Sequence, residues 1–312
     1  MLKTVFFGTP SVAVPFLELL NELTQVVLAV TQPDRPFGRG LKLKPCPVRE
    51  KALELGLKVI SPEKLKDNVE AIKAENADLG VVVAYGKIFR KPALESTHLG
   101  LLNIHFSKLP AYRGAAPVQY ALFNGEEETG VSAFWINEGL DDGPLAALLP
   151  CPILPQDDAK TLFPKLINLG KTALRKVISD IEEGKIIKNE QKGEVTLAPS
   201  ISKEQTLLSF KEMSARQIHN TVRGLAAAMP AYAKANTKEG QSMQLIETEL
   251  SDIKSDMRPG QIVMIERNKG FFVQCKEGVL FIKTLRPAGK NIMTAGAYLN
   301  GRKIAAGDFF FE

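Results

Sequence analysis

A chain of 312 residues is long for one hydrophobic core, so two domains are expected. Apolar content of 45% with 24% charged residues is ordinary for a soluble globular protein, and no apolar run approaches the roughly 18 residues of a membrane span. The formal net charge of +5 is modest, so where it lies matters more than its size. Three scattered cysteines, Cys46, Cys151 and Cys275, and three histidines show no ligand spacing, so no metal is expected. The opening Met-Leu-Lys-Thr-Val-Phe-Phe-Gly enters a strand directly and lacks the long apolar region of a signal peptide. The cytoplasm is the expected compartment.

In chain order, the first half alternates strand and helix. Thr4–Phe7 reads as a strand, and Ser11 as the cap of a helix to about Leu23 with Val12, Phe16, Leu19, Leu20 and Leu23 on one face. Gln25–Val30 is the next strand. A helix near Val48–Leu55, the strand Lys58–Ile60, a helix near Leu65–Glu75 and the strand Asp78–Val83 follow. This alternation implies a mostly parallel, Rossmann-like α/β sheet with right-handed crossovers. Phe7-Gly8-Thr9-Pro10 has one glycine where a dinucleotide fingerprint needs three, and no phosphate loop of the Walker type occurs.

Thr31 to Pro45 is about fifteen residues rich in Pro and Gly without periodicity. Arg35, Arg39, Lys42 and Lys44 stand there against the single acid Asp34. The composition fits either a solvated loop or an arm that reaches a polyanion. Val81 to Ile88 is an apolar strand running into a turn at Gly86, with Tyr85 and Ile88 as core candidates.

Leu101 to His105 reads as a buried strand, which puts Asn103 and His105 on one face, roughly 7 Å apart. The amide can donate a hydrogen bond and the imidazole can donate or exchange a proton, a combination suited to a carbonyl oxygen that gains negative charge. Ser107 to Pro117 contains Pro110, Gly114 and Pro117 and so forms a loop just after the strand, where open α/β sheets place ligands. After a helix at Ala116–Phe123 and a strand at Gly130–Asn137, the Gly-flanked Asp141 supplies a carboxylate. Trp135, the only tryptophan, reads as core.

Asn103-Ile-His105-Phe-Ser-Lys-Leu-Pro110-Ala-Tyr-Arg-Gly-Ala-Ala-Pro117, followed by Gly139-Leu-Asp141-Asp-Gly143, resembles the signature of the folate-dependent formyltransferases. It departs from that signature at Phe106, where Pro or Gly is usual, and at Lys108, where Leu is usual. The resemblance implies that Asn103, His105 and Asp141 are catalytic. It also implies that Ser107, Lys108, Leu109 and Pro110 lie against the folate, and that the turn at Tyr85, Gly86 and Ile88 lines the pterin pocket, largely through backbone groups. The donor implied is 10-formyltetrahydrofolate, used without a metal. The Arg35 to Lys44 segment is similar to the loop that, in family members acting on charged tRNA, enters the acceptor stem, with Arg39 as the residue that probes its end. The implied acceptor is the free amine of methionine on initiator tRNA.

Leu145–Leu154 reads as a strand and Ala159–Glu183 as a long amphipathic helix closing a catalytic domain, residues 1–188. The polar stretch 189–205 lacks an apolar face and reads as a linker. A helix at Ser214–Ala227 then precedes short strands near Ala231–Ala235, Met243–Thr248, Gly260–Glu266, Phe271–Gln274 and Val279–Leu285. Turns are expected at Lys238-Glu-Gly240, Arg258-Pro-Gly260, Asn268-Lys-Gly270 and Lys276-Glu-Gly278. The pattern predicts a small barrel of the OB type over 206–312.

Residues 201–312 carry 16 Lys and Arg against 11 Asp and Glu, whereas residues 1–200 balance at 24 each. The whole positive excess therefore lies in the second domain, an electrostatic footprint for nucleic acid. Arg286 and Lys290, in Arg-Pro-Ala-Gly-Lys, form the clearest cluster and also fit the family. A monomer is expected. Formyl transfer to a nucleotide sugar, to glycinamide ribonucleotide or to water needs neither the cationic loop nor the basic barrel. An RNA-binding module with a decayed enzyme domain would not need an intact Asn103, His105 and Asp141.

Overall fold

Runs of Val, Leu, Ile and Phe bounded by turn residues are the raw material of a sheet buried on both faces. The computed structural model describes residues 1–37, 42–227, 229–235 and 242–312. Its first half runs β1 (Lys3–Gly8), α1 (Val14–Leu23), β2 (Gln25–Val30), β3 (Arg35–Phe37), β4 (Lys42–Lys44), α2 (Pro47–Glu54), β5 (Val59–Ile60), α3 (Val69–Lys73), β6 (Leu79–Val83), α4 (Lys91–Leu94) and β7 (Leu101–His105). Then come α5 (Pro117–Phe123), β8 (Glu128–Trp135), β9 (Leu145–Pro152) and α6 (Ala159–Glu182). Seven of these strands form one sheet in the order β5-β2-β1-β6-β7-β8-β9. The first five are parallel; β8 and β9 turn antiparallel at one side. Val5, Phe7, Leu28, Val30 and Val82 pack one face against Leu65, Val69 and Ile72.

Two local expectations are corrected. Ser11 does not cap α1: residues Ser11–Ala13 make a 3-10 turn, and Pro15 at the start of the helix supplies the preset φ instead of a side-chain cap. The stretch 31–45 is not wholly aperiodic either, since β3 and β4 pair antiparallel with Arg35 opposite Lys44 and Phe37 opposite Lys42.

The chain forms two compact units. The first holds residues Met1–Pro117, Glu128–Pro152 and Phe163–Pro199; the second holds Val118–Glu127, Ile153–Leu162 and Ser200–Glu312. In the first, the polar stretch after α6 is held by backbone bonds, Leu145 and Asn189 exchanging both N–H···O contacts at 2.7 and 2.9 Å.

In the second unit, β10 (Leu207–Leu208) and α7 (Ala215–Leu225) precede β11 (Ala231–Lys234), β12 (Ser242–Ser251), β13 (Ile262–Glu266), β14 (Gly270–Gln274), β15 (Val279–Pro287) and β16 (Met293–Thr294); α8 (Ala295–Leu299) follows. Ser214 caps α7 in a reciprocal box with Gln217. The sheet order is β10-β11-β12-β15-β14-β13, with β16 beside β15. Residues 309–311 bridge its two sides, Phe311 pairing with Ala235 after β11 and Phe309 with Gln261 before β13. This segment closes the sheet into a small barrel. Phe311 is buried and stacks on Phe210 at 4.5 Å. The expected turn at Lys238-Glu-Gly240 lies outside the described residues.

Candidate active site

Strand β7 is central, with β6 on one side and β8 on the other, so its side chains are fixed by pairing on both edges. Val82 and Phe134 flank Asn103, and Ser132 lies opposite His105. The period of two puts Asn103 and His105 on one face. Asn103 is half-buried, and its side chain makes no hydrogen bond among the described residues. His105 is 6% exposed, dry enough for electrostatics to matter.

His105 Nε2 lies 2.9 Å from the Tyr112 carbonyl oxygen. A carbonyl can only accept, so Nε2 carries the proton and the neutral ring presents Nδ1 as a lone pair. Nδ1 faces Asp141 Oδ2 at 3.8 Å. Burial holds the imidazole below its usual pKa, opposed first by the Asp141 charge and then by the Tyr112 carbonyl. At neutral pH His105 is therefore an uncharged base beside a carboxylate.

The loop after β7 is built to aim these groups. Ser107 donates to the Ala111 carbonyl at 2.6 Å, and Ser132 donates to Ser107 O at 2.8 Å while accepting from Leu109 N–H at 3.0 Å. Tyr112 adopts φ +62° and Asp141 φ +48°, left-handed conformations uncommon outside glycine. Gly114 reaches φ +126° because a Cβ there would meet Ala198 O at 2.5 Å; its N–H donates to Asp141 Oδ2 at 2.8 Å. Phe106 fills space between Phe16 and Phe163, at 6.1 and 6.2 Å, and Lys108 pairs with Glu128. Both departures from the signature thus have local packing or pairing reasons.

The remaining expected positions divide. β6 and β7 are parallel neighbours, so the turn after β6 lies at the same end of the sheet as His105. There Ile88 is 82% exposed, whereas Tyr85 is buried among Phe7 and Phe89, its hydroxyl without a partner and pushed up to about 12 by burial. The Tyr85 carbonyl accepts from Gln32 Nε2 at 2.7 Å, across Gly86. Leu109 is buried with Phe134 and Leu145, and Pro110 follows it through a cis peptide. The side chains of Tyr85, Ser107, Lys108 and Leu109 are thus committed within the protein, which leaves Ile88 and the backbone to face a ligand.

Among the cations, Lys44 is exposed, 3.7 Å from Glu50, while β3 and β4 carry Arg35 and Lys42; Arg39 lies outside the described residues. Arg286 donates to Gln244 Oε1 at 2.5 Å, and with Lys290, Tyr232 and Ser242 lines a cavity of about 330 Å3 in the second unit. No group of three or more His, Cys, Asp or Glu among the described residues is placed to hold a metal.

Sequence reasoning missed Gln191. Its Nε2 donates to the carbonyls of Asp141 and Gly143, each at 2.8 Å, and its Oε1 accepts from Arg113 Nη2 at 2.8 Å. Thr196 Oγ1, from the same stretch, accepts from the Tyr112 N–H at 2.8 Å. No apolar period marks such residues; only the hydrogen-bond accounting of two left-handed turns finds them.

Five parallel strands of which the last carries Asn-x-His, faced by a carboxylate on a glycine-flanked turn, are the frame of a one-carbon transferase. Residues 2–178 match the formyl transferase family and residues 200–303 its C-terminal domain, and the chain belongs to this family. A methionyl-tRNA formyltransferase of Elusimicrobium minutum is 47% identical, over 99% of this chain and all of its own. Another, from Thermodesulfovibrio yellowstonii, is 40% identical over 97% of each. An N-formyltransferase of Helicobacter canadensis, solved with folinic acid and dTDP-3-aminofucose, shares the fold with a TM-score of 0.67 at 19% identity, covering 91% of this chain and 99% of its own.

Proposed function

We propose that the protein transfers a formyl group from 10-formyltetrahydrofolate to the free amine of methionine on charged initiator tRNA, for the start of translation, with Asn103, His105 and Asp141 as its catalytic residues. One observation carries the chemistry: a neutral, buried His105 whose Nδ1 faces Asp141 at 3.8 Å, beside an uncommitted Asn103 amide. The acceptor follows from relatives of that name at 47% and 40% identity along the full chain.

As the amine forms its bond to the formyl carbon, Asn103 donates to the formyl oxygen that gains charge. His105 takes up at Nδ1 the proton the amine loses. Asp141 stabilises the imidazolium so formed, and its attraction offsets part of the burial penalty that keeps the ring neutral at rest. His105 then returns a proton to the folate nitrogen as the old bond breaks, so the cycle ends with the ring neutral. Ser107 to Pro110 and the Tyr85 to Ile88 turn frame the folate, Ile88 by side chain and the rest through backbone and shape.

The catalytic residues fall within 1–188. Arg35, Arg39, Lys42 and Lys44 on one side of the reading, and Arg286 and Lys290 in the barrel of 206–312 on the other, supply the cationic contacts to RNA. No helix among the described residues is long and apolar enough to cross a membrane. The protein acts as a monomer in the cytoplasm.

The test is to supply 10-formyltetrahydrofolate with charged initiator tRNA, a nucleotide amino-sugar or buffer alone and to follow formyl transfer. Formyl on the charged tRNA alone is expected. Asn103→Ala should then lower the rate about a hundredfold to a thousandfold in a folded protein, the usual cost of one oxyanion donor. Turnover with sugar or water, or a near-normal Asn103→Ala variant, would overturn the acceptor or the mechanism respectively.

A further inference from the structure

Asp141 cannot be held by its own backbone preference. It sits at φ +48°, between Gly139 and Gly143, a left-handed conformation that aspartate tolerates better than most residues but that still costs free energy relative to the helical and extended regions, so contacts are needed to hold it. The Gly114 N–H fixes one carboxylate oxygen, but a side-chain bond cannot set the turn from which the side chain departs. The turn's own carbonyls are what must be held.

Gln191 does this with both hydrogens of one nitrogen, shared between the Asp141 and Gly143 carbonyls at 2.8 Å each. Its orientation is unambiguous. Reversing the amide would aim Oε1 at two carbonyl oxygens and its NH2 at the Arg113 guanidinium, which now donates to Oε1 at 2.8 Å. The bridge of Asn189 with Leu145 and the Thr196 bond to the Tyr112 N–H tie down the stretch on both sides of Gln191. One polar segment thus steadies the Asp141 turn and the loop whose Tyr112 carbonyl fixes the tautomer of His105.

We propose that Gln191, held by Arg113, is a positioning residue that keeps the Asp141 carboxylate on His105. This rests on the catalytic reading above, since it assigns Gln191 an effect on the reaction only through Asp141. Gln191 touches no reacting atom, and Glu in its place would keep the size while setting a carboxylate against two carbonyl oxygens.

Two readouts on the full chain test it, one independent of turnover. The first is the amide proton of Gly114, whose bond to a carboxylate moves its resonance downfield. In Gln191→Ala and Gln191→Glu it should shift upfield toward its position in Asp141→Asn; a resonance left at the wild-type position overturns the proposal, whatever the enzyme's activity. The second is a double-mutant cycle in steady-state formyl transfer. Gln191→Ala should cost on the order of tenfold to a hundredfold in rate in the wild-type background, with KM for both substrates within about twofold, and less than about threefold in the Asp141→Asn background. Equal losses in both backgrounds, or a loss confined to KM, would mean a merely structural role. Failure of wild-type protein to formylate charged tRNA would remove the functional reading and leave the Gly114 resonance still to decide the placement of Asp141.

Discussion

Two short segments outside the helices and main strands, 189–199 and 309–312, close the two units by different physics. The first buries little apolar surface and acts through side-chain amide and hydroxyl groups on the backbone of the Tyr112 and Asp141 turns. The second buries Phe310 and Phe311 and adds backbone bonds to Gly260 and Lys234. Hydrogen bonds in water contribute modestly but are directional, whereas apolar burial contributes more and is not. Damage to the first segment should therefore appear in geometry and rate, and damage to the second in stability.

Phe311→Ala should have the largest effect on the second segment. Loss of a buried ring stacked on Phe210 should cost about 3 to 5 kcal/mol, read as an early unfolding step of the second unit in urea. A cost below about 1 kcal/mol would place the closing segment outside the core. Next is Gly143→Ala, where a Cβ would meet Trp135 O at 1.8 Å and force the Asp141 turn to move. Its formyl-transfer rate should fall about a hundredfold, the cost of displacing by about 1 Å the carboxylate proposed above as catalytic. Thr196→Val keeps the shape but leaves the Tyr112 N–H without its acceptor, a loss of about 1 to 3 kcal/mol in stability of the first unit. A slower rate without a loss of that size would mean that the loop, not the unit, had yielded.

A further effect concerns pH. His219 is pushed down to about 4, chiefly by burial and then by Arg223 and Arg216, with Glu249 opposing; its Nδ1 lies 3.0 Å from the Thr248 hydroxyl. A histidine whose folded pKa lies below its unfolded value of about 6.5 stabilises the fold above that pH and loses the contribution as pH falls toward about 4. The second unit should melt progressively earlier across that window, and His219→Gln should flatten the slope. An unchanged slope would assign the acid sensitivity elsewhere.

The parts of the site on regular elements were legible in the sequence. Asn103 and His105 are two apart on a strand, and the period of two alone sets them on one face. Asp141 was visible because glycines flank it. Gln191 was not, because an amide in a polar stretch has no period and its partners are carbonyls that exist only once two turns take left-handed form. Tyr85 and Ile88 looked equivalent as apolar residues of one turn, and only the sheet decides that one is buried and the other exposed. Ser11 misled for a local reason: a serine before an apolar run is a capping signal, and the proline at Pro15 shifted the start of the helix past it.

The second unit includes residues 118–127 and 153–162 as well as 200–312, while the family's C-terminal domain matches from residue 200. The piece that is inherited is therefore smaller than the piece that packs. Gly224 of α7 lies against the Phe123 ring of α5, and Asn220 donates to the Phe123 carbonyl at 3.3 Å. A gene fusion that transplanted only 200–312 onto another enzyme would leave that helix face bare. Recombination can move this barrel intact only if the new host brings its own equivalent of α5.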